Sequence, residues 1–184
     1  MVAIVDAPSS VIAGWDSFYV IVGSSGAALI GLQFVVIALI KDTRTRTTSG
    51  TISAFGTPTV VHLSGALLIS AVMSAPWSSF LAISIALTLL GLTGLGYSAT
   101  IIHHARKQTG YAPVWQDWLW YILLPCCAYG AATVSALLLH AATDHASFVI
   151  AASTLSLLMI AIHNAWDTVT YVAIREHGEA PPTE

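Results

Sequence analysis

The sequence predicts an all-α fold, a polytopic transmembrane helix bundle of five spans, and three observations lead to this prediction. Of the 184 residues, 56% are hydrophobic and only 8% are charged, whereas roughly a quarter of the residues of a soluble domain are charged. So few charges cannot solvate the surface of a free-standing globular domain. The charged residues also divide the chain into apolar stretches that are long enough to cross a bilayer, and all six basic residues fall on one side of a five-span arrangement.

The first three predicted spans lie between charged residues of the N-terminal half. A helix needs about 20 apolar residues to cross roughly 30 Å of hydrocarbon, and the charge-free stretch between Asp16 and Lys41 has room for one crossing. No residue between Arg46 and Arg106 is charged, which leaves room for two more. Pro76 marks the break between these two, because proline disfavours helix in the residue before it.

The last two predicted spans share Asp144 as their boundary. Asp117 and Asp144 enclose the fourth, and the fifth begins after Asp144 and runs past Asp167. Residues 1–175 are therefore expected to form a single bundle, with 176–184 as a flexible cytoplasmic tail. The five predicted spans are 17–40, 55–75, 79–103, 118–140 and 147–172.

Basic residues predict the orientation, because they stay on the cytoplasmic side of a membrane. They follow the first, third and fifth predicted spans, and none follows the second or fourth. This pattern places the N-terminus outside and the C-terminus in the cytoplasm. The start of the chain lacks the basic stretch of a cleavable signal peptide, so the first span is expected to remain as an anchor. The basic residues are Lys41, Arg44, Arg46, Arg106, Lys107 and Arg175.

Small residues recur on the first predicted span at Gly23, Ala27 and Gly31. This four-residue repeat forms a groove in which another helix backbone can approach closely. The groove serves packing within one chain as well as contact in a homo-oligomer or a larger membrane complex, and the sequence leaves both possibilities open.

The same span carries a resemblance to known proteins. Residues 15–23 read WDSFYVIVG and residues 27–35 read AALIGLQFV. This string resembles the opening helix of small, uncharacterised bacterial polytopic membrane proteins, some of which are loosely labelled modulator of FtsH protease. The resemblance covers one span of five. It implies a bacterial cytoplasmic membrane, and no catalytic or binding residue follows from it.

Polar side chains within the spans are the candidates for function, because each costs about 1–3 kcal/mol in hydrocarbon unless it finds a partner or water. At a rise of about 1.5 Å per residue, every span contributes one such group at roughly 10 Å from its cytoplasmic boundary. We therefore expect these groups to converge on one polar layer inside the bundle. They are Gln33, His62, Tyr97, the pair Cys126 and Cys127, and the pair His163 and Asn164.

Two helix faces extend this layer. On the fifth span, His163 and Asp167 lie four residues apart and so share a face. Such a pair can bind and release a proton, but the same spacing also serves a purely structural hydrogen bond between helices. The face of the fourth span that is expected to point into the bundle carries Cys126, Tyr129, Thr133 and His140.

The first compatible function is permeation, by a channel or carrier for protons, cations or a small polar solute. Titratable groups inside a membrane mark ion and proton paths by default. Permeation is preferred narrowly, because it alone uses both polar faces. The path would be lined by Gln33, His62, His163, Asn164 and Asp167.

The second compatible function is that of a membrane redox protein that holds haem or a transition metal. His62 and His163 lie at similar depths on different spans, as two axial haem ligands must. Alternatively, Cys126 or Cys127 would join them around zinc or copper, since thiolates and imidazoles suit those ions.

The third compatible function is that of an accessory or regulatory subunit of a larger membrane complex, whose polar layer only holds the bundle together. The sequence leans away from an enzyme, because it has no soluble-enzyme motif and its short connections leave no domain for a large substrate. The net charge of −3 shows no basic excess, which argues against nucleic acid as a partner.

Overall fold

The computed structural model describes residues 13–42, 49–107 and 115–178. Within these residues the chain is helical without any strand, and five helices are long and apolar enough to cross a membrane. The predicted all-α, multi-pass bundle is thereby confirmed. The helices are α1 (Asp16–Asp42), α2 (Ser49–Ser74), α3 (Phe80–Lys107), α4 (Trp115–Leu138) and α5 (Thr143–Gly178). The helix α4 consists of the α-helical Trp115–Trp118, the π-helical Leu119–Leu123 and the α-helical Leu124–Leu138.

The helices match the predicted spans, and three of them extend four or more residues further: α2 begins at Ser49, α3 ends at Lys107 and α5 begins at Thr143. The helix α2 ends at Ser74 and α3 begins at Phe80, so the predicted break around Pro76 is confirmed. The helix α5 continues past the predicted end at 172 as far as Gly178, because no helix-breaking residue precedes that glycine. Residues 179–184 of the predicted tail lie outside the described residues, as do Arg44 and Arg46, and the orientation of the bundle stays a prediction.

Helices α2 and α5 lie at the centre of the bundle. The helix α2 packs along α1 and α5, while α4 packs along α3 and α5. Inside the bundle lie 50% of the α2 span, 44% of the α4 span and 56% of the α5 span, against 22% in both α1 and α3. The two outer helices expose apolar side chains such as Phe34 and Leu89, which is the surface that lipid requires.

The small-residue stripe of α1 is divided between two faces. Gly23 packs on α2, where an added Cβ would lie 3.0 Å from the Cβ of Ser70. Gly26, which the stripe did not include, also faces α2, and its Cβ would lie 3.3 Å from a backbone carbonyl oxygen. In contrast, Ala27 is exposed and nothing among the described residues lies within 4 Å of a Cβ at Gly31. Packing within the chain therefore uses Gly23 and Gly26.

Candidate functional site

Three members of the predicted polar layer are buried on α1, α2 and α5. Gln33 is 6% exposed, and His62 and Asn164 are fully buried. Gln33 lines one groove together with Leu63 and Ala165, which are the chain neighbours of His62 and Asn164. We call Gln33, His62 and Asn164 the amide–imidazole layer.

The imidazole of His62 lies between two tyrosines. Its Nδ1 is 3.3 Å from the hydroxyl oxygen of Tyr129 on α4, and the ring centroids are 5.8 Å apart. The ring of Tyr97 on α3 meets the imidazole edge to face at 6.3 Å. The other ring nitrogen, Nε2, is buried and has no hydrogen-bond partner among the described residues. His62 therefore has one nitrogen in a hydrogen bond and one still able to bind a proton or accept a hydrogen bond.

Glycines on α2 and α3 make room for Tyr129. A Cβ at Gly65 would lie 2.5 Å from the Tyr129 hydroxyl oxygen, and a Cβ at Gly94 would overlap the tyrosine ring. One turn away, a Cβ at Gly91 would overlap the side chain of Thr133. The absence of these three Cβ atoms lets α4 approach closely enough for Tyr129 to reach His62.

The α4 face that was expected to point inward does so over its middle. Tyr129 and Thr133 are buried, whereas Cys126 is half-buried and His140 is exposed. Cys127 is also exposed, and neither cysteine is in a disulfide.

His163 and Asp167 do not join the cluster around His62. The imidazole of His163 is half-buried and stacks on the indole of Trp120, with ring centroids 3.6 Å apart and planes 21° apart. Asp167 is exposed. Among the described residues, no group of three or more His, Cys, Asp or Glu side chains is placed to hold a metal ion. His62 and His163 thus have different aromatic neighbours, and no described cluster joins them to Cys126 or Cys127.

A π-helical turn in α4 brings its backbone to Asn164. The turn, Leu119–Leu123, lies just ahead of Pro125, and the N–H of Leu124 donates to the carbonyl oxygen five residues back. Proline has no N–H to continue the regular ladder, which accounts for the change of register. The amide Nδ2 of Asn164 donates to the Trp120 carbonyl oxygen at 3.5 Å, while its Oδ1 is buried without a partner among the described residues. Such π turns frequently lie at functional sites.

A second buried polar layer, which the sequence reasoning missed, lies toward the opposite end of the same three helices. The hydroxyl oxygens of Tyr19, Ser70 and Ser147 are buried without a hydrogen-bond partner among the described residues. Each residue lies three or four positions from the end of its span, or about 5–6 Å. The helices α1 and α5 meet here, since the rings of Trp15 and Phe148 are 4.7 Å apart. We call Tyr19, Ser70 and Ser147 the hydroxyl layer.

The hydroxyl layer has almost no signal in the sequence. Serine and threonine are common in membrane helices and usually bond to a carbonyl of their own helix, as Thr133 and Thr154 do here. The only available hint was that Tyr19, Ser70 and Ser147 lie at similar distances from the ends of their spans.

Comparison of the chain with protein-family models, with curated proteins and with solved structures finds no match. The resemblance of the first span therefore stays a prediction, and the function is argued from geometry alone. That geometry consists, among the described residues, of five helices that are long and apolar enough to cross a membrane, with two buried polar layers on α1, α2 and α5.

Proposed function

We propose that this membrane protein is a channel or carrier that moves protons between the hydroxyl layer and the amide–imidazole layer. The observation that carries the proposal is that partnerless buried polar atoms occur toward both ends of the bundle. On α5 alone, Ser147 and Asn164 are seventeen residues apart, which is about 25 Å of a hydrocarbon core of roughly 30 Å.

Water is the partner that such atoms normally have. Leaving a buried donor or acceptor unsatisfied costs about 1–3 kcal/mol, and buried water molecules typically satisfy such groups. Water in the amide–imidazole layer would bring mobile protons to His62 itself, and water in the hydroxyl layer would bring them to Ser70, eight residues or about 12 Å away on α2.

His62 is the proton-binding group of this proposal. Histidine is the side chain whose charge changes most readily near neutral pH. Its Nε2 would accept a proton from one water molecule while Nδ1 passes one to the hydroxyl oxygen of Tyr129, which releases its own proton to a second water molecule. The imidazole then returns to its neutral form with the ring proton on the other nitrogen.

Protons fit the two layers better than metal cations do. The buried polar residues among those described include no Asp or Glu, and cation paths are built from rings of carboxylates or of converging carbonyls. Imidazole and hydroxyl groups can relay a proton without carrying a fixed charge, and amides can hydrogen-bond the water that carries it.

The test is proton flux in liposomes that contain the purified protein, driven by a membrane potential and followed with a trapped pH-sensitive dye. We expect His62→Ala to reduce the flux at least tenfold, because it removes the group that binds the proton. His145→Ala is the matched control, since His145 is exposed in the first turn of α5. This variant should conduct protons like the wild type. Flux no higher than that of protein-free vesicles, or an unchanged rate in His62→Ala, would contradict the proposal.

A second candidate is an accessory role in an oligomer or a larger membrane complex. It is favoured by the outward half of the α1 stripe, where Ala27 is exposed and Gly31 has open space around it. Native mass spectrometry of the protein in lipid should show assemblies that Gly31→Leu disrupts. Gly96→Leu on α3 is the control, because Gly96 also has open space around it; equal behaviour of the two variants would speak against this role.

A further inference from the structure

A lateral groove lies between α1, α2 and α5, beside the amide–imidazole layer. Its volume is about 250 Å³, slightly below the ~300–1,000 Å³ of sites for drug-sized molecules. Such a space takes a single ring or a headgroup, and a longer tail can extend through the open side into the bilayer. Residues that line it include Leu29, Gln33, Val36, Leu63, Ala165 and Trp166.

Gln33 is the polar group of this groove. The other lining residues are aliphatic, apart from Trp166. The Gln33 side chain is 94% buried, and no hydrogen bond between it and another of the described residues is seen. Its amide has two N–H donors and one carbonyl acceptor. The groove therefore offers hydrogen-bond donors to an acceptor on the ligand.

The lining also determines the charge of the ligand. None of the residues that line the groove is charged, and an unpaired charge in an apolar site carries a large desolvation cost. A lipid acyl chain would fill the space but leave the Gln33 amide without a partner. The ligand that satisfies size, neutrality and hydrogen bonding together is a small apolar ring with a carbonyl group.

We propose that the groove between α1, α2 and α5 binds a membrane-soluble quinone, whose ring carbonyl accepts a hydrogen bond from the side-chain amide of Gln33. The quinone tail leaves through the open side toward lipid. Trp166, which is 71% exposed, lies at the rim of the groove and reports on occupancy. The groove shares Gln33 with the amide–imidazole layer, but neither His62 nor Tyr129 lines it, so quinone binding goes beyond the proposed proton path.

The test uses the full-length protein in lipid nanodiscs, titrated with a decyl-tailed benzoquinone while tryptophan fluorescence is recorded. Quinones quench tryptophan at short range, so binding should appear as a saturable component above the linear quenching by quinone dissolved in the bilayer. That component should disappear in Trp166→Phe. Gln33→Leu should weaken the affinity about three- to tenfold, as expected for the loss of one hydrogen bond.

Two further variants sharpen the result. Ala165→Phe fills the groove and should abolish saturable quenching. Thr93→Val, a polar-to-apolar change on the exposed face of α3, is the matched control for Gln33→Leu and should bind like the wild type.

Two outcomes would overturn the proposal. One is quenching that stays linear in the wild-type protein. The other is a quinone titration curve of Gln33→Leu that coincides with that of the wild type, together with quenching of Trp166 in both proteins by lipids with brominated acyl chains. The groove would then hold a lipid tail. Neither readout depends on proton flux, so this proposal can fail while the proposed function stands, and the reverse.

Discussion

The hydroxyl layer and the amide–imidazole layer lie on the same three helices but are held in place differently. Around His62, the position of Tyr129 is imposed by missing Cβ atoms at Gly65 and Gly94, and Asn164 is tied to the α4 backbone at a π turn. In the hydroxyl layer, Gly23 packs against Ser70, but none of the hydroxyl oxygens has a hydrogen-bond partner among the described residues.

The comparison identifies His62 as the polar group whose surroundings the fold constrains most. The tyrosines of α3 and α4 contact the imidazole of His62, whereas the hydroxyls, in the proposed function, bond to water. In the proposed proton path, His62 binds the proton at a fixed position and the hydrated hydroxyl layer gives access to it. Such a path needs this difference between the two layers.

The largest effect is expected from adding a Cβ at Gly94, which packs against Tyr129 beside the amide–imidazole layer. Gly94→Ala would place a Cβ inside the ring of Tyr129, and overpacking of this kind typically costs about 1–3 kcal/mol. We expect a matching loss in the free energy of unfolding, measured by denaturant titration in detergent, together with reduced proton flux. Gly96→Ala, which has open space around it, should be no less stable than the wild type; equal destabilisation of both variants would mean that Tyr129 is not anchored by Gly94.

The next effect concerns the contact between His62 and Tyr129. Tyr129→Phe keeps the ring between the glycines but removes the hydroxyl that lies 3.3 Å from Nδ1. We expect a loss of about 1 kcal/mol in stability and a several-fold loss of proton flux. A double-mutant cycle with His62→Ala should give a coupling energy of about 0.6–1.7 kcal/mol, the range for hydrogen bonds between membrane helices. A coupling near zero would show that the contact contributes nothing.

A smaller effect tests whether the hydroxyl layer is hydrated. If water fills it, Ser70→Ala and Ser147→Ala each remove a water-bound hydroxyl and should lower stability by about 0.5–1 kcal/mol as well as the proton flux. Ser24→Ala is the control. The Ser24 hydroxyl is exposed and donates to the carbonyl oxygen of Val20 in its own helix, so its removal should change stability and proton flux little. A gain in stability in either test variant would show that the layer is dry, and the comparison with the amide–imidazole layer would lose its functional meaning.

The smallest effect is expected at the second imidazole. His163→Ala removes a stacked pair with Trp120, which is worth about 0.5–1 kcal/mol beside the buried area. Proton flux should stay within about twofold of the wild type, because His163 lies outside the His62 cluster. A loss of flux as large as that of His62→Ala would place both imidazoles on one permeation path, as the sequence analysis predicts.

Parts of the site were predictable because they follow from position along a helix. The depths of Gln33, His62 and Asn164 could be counted from the charged residues that bound each span, and the structure confirms that all three are buried. The exposure of Asp167 could not be read in this way. A position four residues from His163 shows which residues share a face, but not toward which neighbour that face turns.

The sequence by itself determined that the described residues contain five helices long and apolar enough to cross a membrane. It also determined that the second and third of these helices separate around Pro76, since the transfer of an apolar stretch into hydrocarbon depends on that stretch alone. Only the tertiary structure decided the rotation of each helix about its axis. In a bilayer the lipid side and the protein side of a helix are both apolar, so hydropathy does not distinguish them. That rotation separates Gly26, packed on α2, from Gly31, which faces away, and it brings Tyr129 to His62 rather than to His163.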